Sequence, residues 1–145
     1  MDEKVVPVFE GLTWEPNAPD AVLIQNDWGT ACLGLNAHFS DTDTRAVVMV
    51  WSGCHRAVMG SPNDEAVHVH RLADAGLRTV RWAGEVKNSA WVEELALLAH
   101  QPPTRHFIVL TKERVVEVVA DSMSVKRIPG PTIHAARQAL GQSHT

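Results

Sequence analysis

The chain has 145 residues, 45 % apolar and 21 % charged, with a formal net charge of −4. That is enough for one domain with a sizeable core, and the composition is that of an ordinary globular protein. Acids and bases are interspersed, so no basic stripe stands ready to neutralise phosphates and nucleic acid is not an expected partner.

The opening MDEKVVPVFE is acidic and lacks the apolar core of a signal peptide. No apolar run approaches the length that spans a bilayer, so the expectation is a cytoplasmic protein with no membrane partner. Cys32 and Cys54 make no disulfide framework and are expected to be free thiols.

Residues 1–20 carry Pro7, Pro16 and Pro19, which forbid a long helix. Val5, Val6, Val8, Phe9 and Trp14 are too apolar for a free tail, so this arm is expected to lie extended against the core. Ala21 to Ile24 reads as a strand ended by Asn26-Asp27, and Thr30 to Leu35 as its neighbour. Arg45 to Trp51 is almost continuously apolar, the pattern of a central strand covered on both faces. Ser52-Gly53 predicts a turn, with His55 to Met59 returning as the second strand of a hairpin.

Ser61-Pro62-Asn63-Asp64 predicts a short helix capped by Ser61, with a left-handed stop at Gly76. Arg78 to Val86 alternates as a strand, placing Arg81 and Glu85 on one face. Asn88-Ser89 predicts the cap of a second helix running to about His100 and ended by Pro102-Pro103. Arg105 to Ala120 is the clearest hairpin. With Lys112-Glu113 at its turn, position 110 faces 115 and 108 faces 117, leaving His106 diagonal to Glu117. Val125 to Ile128 predicts a last strand, a short helix follows Pro131, and the tail at 142–145 is expected to fray. The sum is a single α+β domain, mainly an antiparallel sheet of about six strands, with two or three short helices on one face or end.

The residues Pro62-Asn63-Asp64-Glu65-Ala66, His70, Gly76-Leu77, Glu85-Val86-x-Asn88-Ser89-x-Trp91 and His106-Phe107 to Glu117 form a pattern over roughly 45–125. It resembles that of a family of small uncharacterised bacterial proteins. In that family the hairpin reads like His-Asp-Ser-Thr-Phe-Glu-Cys where this chain has Lys112 to Val118, so only Glu117 is shared. The resemblance implies a bacterial, soluble, single-domain protein. If the replaced His, Asp and Ser served chemistry, it also implies an inactive or repurposed copy.

Glu117 is the most informative residue. A carboxylate among Ile108, Leu110, Val115 and Val119 must be paired if its face is covered, with His106 or Arg81 the expected partner. If that face is open, it is an ordinary surface glutamate. Asp64 and Glu65 are candidate acid–base carboxylates, although acids in a first helical turn commonly serve the helix dipole. Asn63, Asp64, Arg81, Glu85 and His106 are candidate ligand contacts, while Asn88 reads as a cap. No metal is expected. The fallback zinc set is Cys54, His55, His68 and His70, and it requires an extended backbone at His68-x-His70. The five tryptophans suit a flat ligand but more often build core. Walker, dinucleotide, Cys-x-x-Cys and nucleophile-elbow motifs are lacking, so no cofactor is expected. Two readings follow. One is a non-catalytic module binding a small molecule or a protein partner. The other is a small cofactor-independent lyase or isomerase using Glu117, His70 and Asp64 or Glu65. Oligomeric state stays open.

Overall fold

Nine strands divide between two sheets in which every described pairing is antiparallel, as seen in a computed structural model that describes all residues except Met1, Glu10, Leu12, Pro16, Asn17, Gln101, Pro102 and 143–145. In chain order the strands are β1 (Lys4–Pro7), β2 (Val22–Gln25), β3 (Thr30–Leu35), β4 (Ala46–Ser52), β5 (Arg56–Gly60), β6 (Ala83–Lys87), β7 (Arg105–Leu110), β8 (Val115–Ala120) and β9 (Ser122–Ile128). Two α-helices, α1 (Ala90–Ala96) and α2 (Thr132–Gln142), and three 3₁₀ segments between Asp64 and Thr79 complete the fold. The α+β class and the antiparallel arrangement agree with the sequence pattern. Of the expected chain breakers and ends, Pro16, Pro102 and 143–145 lie outside the described residues, while Gln142 belongs to α2.

One sheet runs β1-β6-β7-β8-β5 and the other β2-β3-β4-β9. Their inner faces share one core, in which Leu33, Met49 and Trp51 meet Phe107, Val116 and Val118. The alternate residues of β4, Val48 and Val50, pack with Cys32 against Ala135, Ala136 and Ala139 of α2. This explains the unbroken apolar run: β4 is buried on both faces, as expected of a central strand. On the outer face of the five-stranded sheet Val5, Val86, Ile108 and Val115 are covered by Leu72, Leu77 and Val80. The helical segments therefore cover both outer faces, where one face or end was expected.

Several local expectations give way to better partners. Ser52-Gly53 turns the chain, but β5 pairs with β8 in the other sheet and makes no hairpin with β4. Asn63, and not Ser61, caps the first 3₁₀ segment by accepting from the Ala66 N–H. Gly76 takes the expected left-handed conformation (φ 110°), and a Cβ there would lie 2.7 Å from the Val5 carbonyl oxygen. Residues 77–79 form a 3₁₀ turn, so the strand starts only at Ala83 and Arg81 does not share it with Glu85. Ser89 caps α1; Asn88 sits at φ 57° and donates to the Asp2 carbonyl. α1 ends at Ala96, short of His100. The arm does lie against the core, as β1 on the sheet edge and as Trp14, whose Nε1 donates to the Leu110 carbonyl.

No described helix is long and apolar enough to cross a membrane. Cys32 and Cys54 are free thiols, and burial pushes Cys32 up to about 11.

Gly34 tests the seating of α2, because a Cβ there would stand 2.6 Å from the Thr132 carbonyl oxygen. Gly34→Ala should cost about 1–3 kcal/mol by overpacking against backbone. Gly141→Ala, with open space around it, should leave the urea midpoint unchanged or slightly raised. Equal midpoints for both variants would contradict this packing.

Candidate functional site

The hairpin register sets the site. β7 and β8 pair Leu110 with Val115, Ile108 with Glu117 and His106 with Val119, as the turn position predicts. The turn is closed by Thr111, whose N–H and hydroxyl both donate to the Arg114 carbonyl. Along β8, Val116, Val118 and Ala120 point into the inter-sheet core. Val115, Glu117 and Val119 therefore face outward, toward the chain that covers the sheet. Glu117 is 5 % exposed.

Four N–H groups converge on its carboxylate. Oε1 accepts from Arg71 Nη2 at 2.6 Å and His106 Nε2 at 2.9 Å. Oε2 accepts from Arg71 Nη1 at 2.7 Å and His70 Nε2 at 3.1 Å. A carboxylate offers about four lone-pair positions, so this one is filled. Burial alone would raise its pKa. The hydrogen bonds from His106, His70 and Arg71, with the guanidinium charge, outweigh that and hold the carboxyl far below its usual range.

The network also fixes the imidazoles. His70 Nδ1 accepts from the Leu72 N–H, which leaves its proton on Nε2 for Glu117. Ser89 Oγ accepts from the Val92 N–H as the α1 cap and stands 2.7 Å from His106 Nδ1. Its own proton turned to Nδ1 leaves the His106 Nε2–H for Glu117. The chain Val92, Ser89, His106, Glu117 thus runs in one direction. Trp91 stacks on His106 (centroids 5.0 Å apart, 7° between planes), and the guanidinium carbons of Arg71 and Arg56 lie 4.4 and 5.0 Å from its ring centroid.

Beside this cluster opens a pocket of about 420 Å³, lined by Val58, Pro62, Val69, Arg71, Trp91 and Glu117 among others. Of the segment after Asn63, Val69 and His70 help close it. Asn63 is spent as a cap, and Asp64 and Glu65 are exposed in the first 3₁₀ turn and do not line it. Glu85 faces the inter-sheet side beside Phe107, where hydrogen bonds from Arg105, at 2.7 and 3.1 Å, hold its carboxyl low with help from Lys87. Arg81 lines a different cavity and does not reach Glu117.

His68 is exposed within a 3₁₀ turn, where residues two apart diverge, and His70 is committed to Glu117. No three His, Cys, Asp or Glu side chains among the described residues are grouped to hold a metal ion, so the fallback set of Cys54, His55, His68 and His70 is not assembled.

Sequence reasoning placed Glu117 beside His106 but named Arg81 where the structure has Arg71 as the arginine partner, and it missed the link through Ser89. Arg71 had a readable signal. It adjoins His70 at the start of an apolar stretch, and a planar fork is the cation best matched to a buried carboxylate.

No family model, curated protein or solved structure matches this chain. His70, Ser89, Trp91, His106 and Glu117 meet in this one cluster, whereas Asn63, Asp64, Glu65 and Glu85 of the same sequence pattern lie outside it.

Removing the carboxylate strands two imidazoles and a guanidinium. Glu117→Ala should cost about 3–5 kcal/mol in urea unfolding, the range for breaking a buried pair. The pH dependence has a definite sign. Because the folded carboxyl titrates below its unfolded value, its contribution is complete above about pH 5 and fades as acid is added below that. The stability gap between wild type and Glu117→Gln should therefore narrow on going from neutral pH to about pH 3. A gap that is constant or widens with acid would contradict the assignment.

Proposed function

We propose that the protein is a non-catalytic binding module whose ligand occupies the pocket between β5, Val69 and Trp91. The observation that carries this reading is the filled carboxylate of Glu117. A general base needs a free lone pair aimed at the substrate proton, and all four positions here are taken by Arg71, His70 and His106.

The supporting geometry concerns the other candidates for chemistry. Ser89 lies near His106 as a nucleophile would, but it is buried and holds the first turn of α1. Asp64 and Glu65 stand away from the pocket lining. What the cluster does well is position. It ties the 70–71 segment, α1 and the hairpin to one point, which fixes the pocket walls before a ligand arrives. Those walls combine apolar surface from Val58, Pro62 and Val69 with the edge of an arginine stacked on tryptophan. A pocket of this size suits a small molecule or a single inserted side chain.

The test is a ligand-observed NMR screen of small metabolites and short peptides against wild type and Val58→Trp. Val58 is a partly exposed edge-strand residue, and an indole there would fill the pocket. Ligands that bind wild type, lose binding to the variant and are recovered unchanged after prolonged incubation support the reading. Conversion of a bound compound by wild type, abolished in Glu117→Gln, would overturn it in favour of a lyase or isomerase.

A further inference from the structure

A second cavity, of about 510 Å³, lies at the other end of the five-stranded sheet and shares no lining residue with the pocket beside Glu117. It is built around Trp82. The indole packs edge to face with Trp14, centroids 5.4 Å apart, and Trp14 is itself buried and hydrogen-bonded to the Leu110 carbonyl. His38 stands perpendicular to Trp82 at 5.9 Å, and its Nδ1 is 2.7 Å from Ser40 Oγ. Thr13 and Thr79 add hydroxyl groups to the lining.

Arg81 supplies the charge. Its guanidinium carbon lies 5.7 Å from the Trp82 centroid, which holds the fork near the ring without using its N–H groups. Every other arginine that touches an aromatic ring here, Arg56, Arg71 and Arg105, also has a carboxylate within salt-bridge distance. Arg81 has none among the described residues, and no described residue of the lining is acidic.

We infer that this cavity is a ligand site for a small planar aromatic molecule bearing one carboxylate, with Arg81 binding the carboxylate and Trp82 receiving the ring. The chemistry follows from what the walls offer. A planar fork with free N–H groups pairs with carboxylate through two parallel hydrogen bonds. An indole held by packing against a buried tryptophan is a rigid platform for an aromatic ring. A cationic ligand would meet the Arg81 charge with no described acid to offset it. A phosphate dianion would find one guanidinium and no second arginine or lysine among the described lining residues, so a monoanion is the better match.

The site is independent of the proposal for the Glu117 pocket, and its test reads a different part of the molecule. Three probes of one shape would be titrated by ¹H–¹⁵N NMR on the full chain: benzoate, benzyl alcohol and benzamidinium. Benzoate should give saturable shifts centred on Arg81, the Trp82 indole N–H and His38. The alcohol should bind about tenfold more weakly and the cation not measurably. Arg81→Gln should reduce benzoate affinity about tenfold and leave the alcohol unchanged. The Trp82→Leu variant should weaken both, with an unaltered amide spectrum around Glu117 showing that the fold is retained. The inference is overturned if benzamidinium binds as well as benzoate, if Arg81→Gln leaves benzoate unaffected, or if benzoate produces no saturable shift up to about 10 mM.

Discussion

A carboxylate placed between a sheet and the chain that covers it must be met at each of its lone pairs, and Glu117 is met by residues from separate stretches of chain. Arg71 and His70 come from the 3₁₀ region, and His106 comes from the neighbouring strand. Ser89, the cap of α1, locks His106 from behind. The covering layer is irregular, and its apolar contribution to the outer face is small: Leu72, Leu77 and Val80, with Val67 and Ala75 partly buried, against four buried residues of the sheet. Such a layer has many ways to lie on a sheet, and hydrophobic contact is not directional. The fork of Arg71 and the two imidazoles are directional, so they select one placement of the cover.

That arrangement also sets the electrostatics of Glu117. Perturbed carboxylates mark functional sites when their pKa is poised for proton transfer. Glu117 is perturbed the other way, because donors more than offset its burial and keep it ionised. Arg71 remains half-exposed above Trp91, so the same ion pair that closes the layer presents a cationic edge to the adjoining pocket. One side chain thus serves both the closure of the layer and the pocket wall.

The hairpin was legible because two β-branched runs flank an obvious polar turn, and a two-residue period then assigns every face. What alternation could not say is which face is covered. Both are: the second sheet takes Val116 and Val118, and the 3₁₀ segments take Val115. The buried central strand β4 was legible for a related reason, its unbroken apolar run. The partner of β5 was not, since a five-residue strand with one polar side chain carries nothing that names its neighbour; it leaves β4 for β8 across the sandwich. Arg81 and Glu85 were placed together by a period that the 3₁₀ turn at 77–79 interrupts. Arg71 was missed because its role depends on a contact 46 residues away in sequence.

Both imidazoles donate through Nε2 to one ionised carboxylate. Long-range ¹H–¹⁵N NMR on histidine-labelled protein at neutral pH reads this directly, because protonated and bare ring nitrogens resonate far apart. His70 and His106 should each carry a proton on Nε2, with Nδ1 of His70 bare, and the two Nε2–H protons should exchange slowly with solvent. A bare Nε2 at either ring, or rapid solvent exchange at both, would contradict this hydrogen bonding.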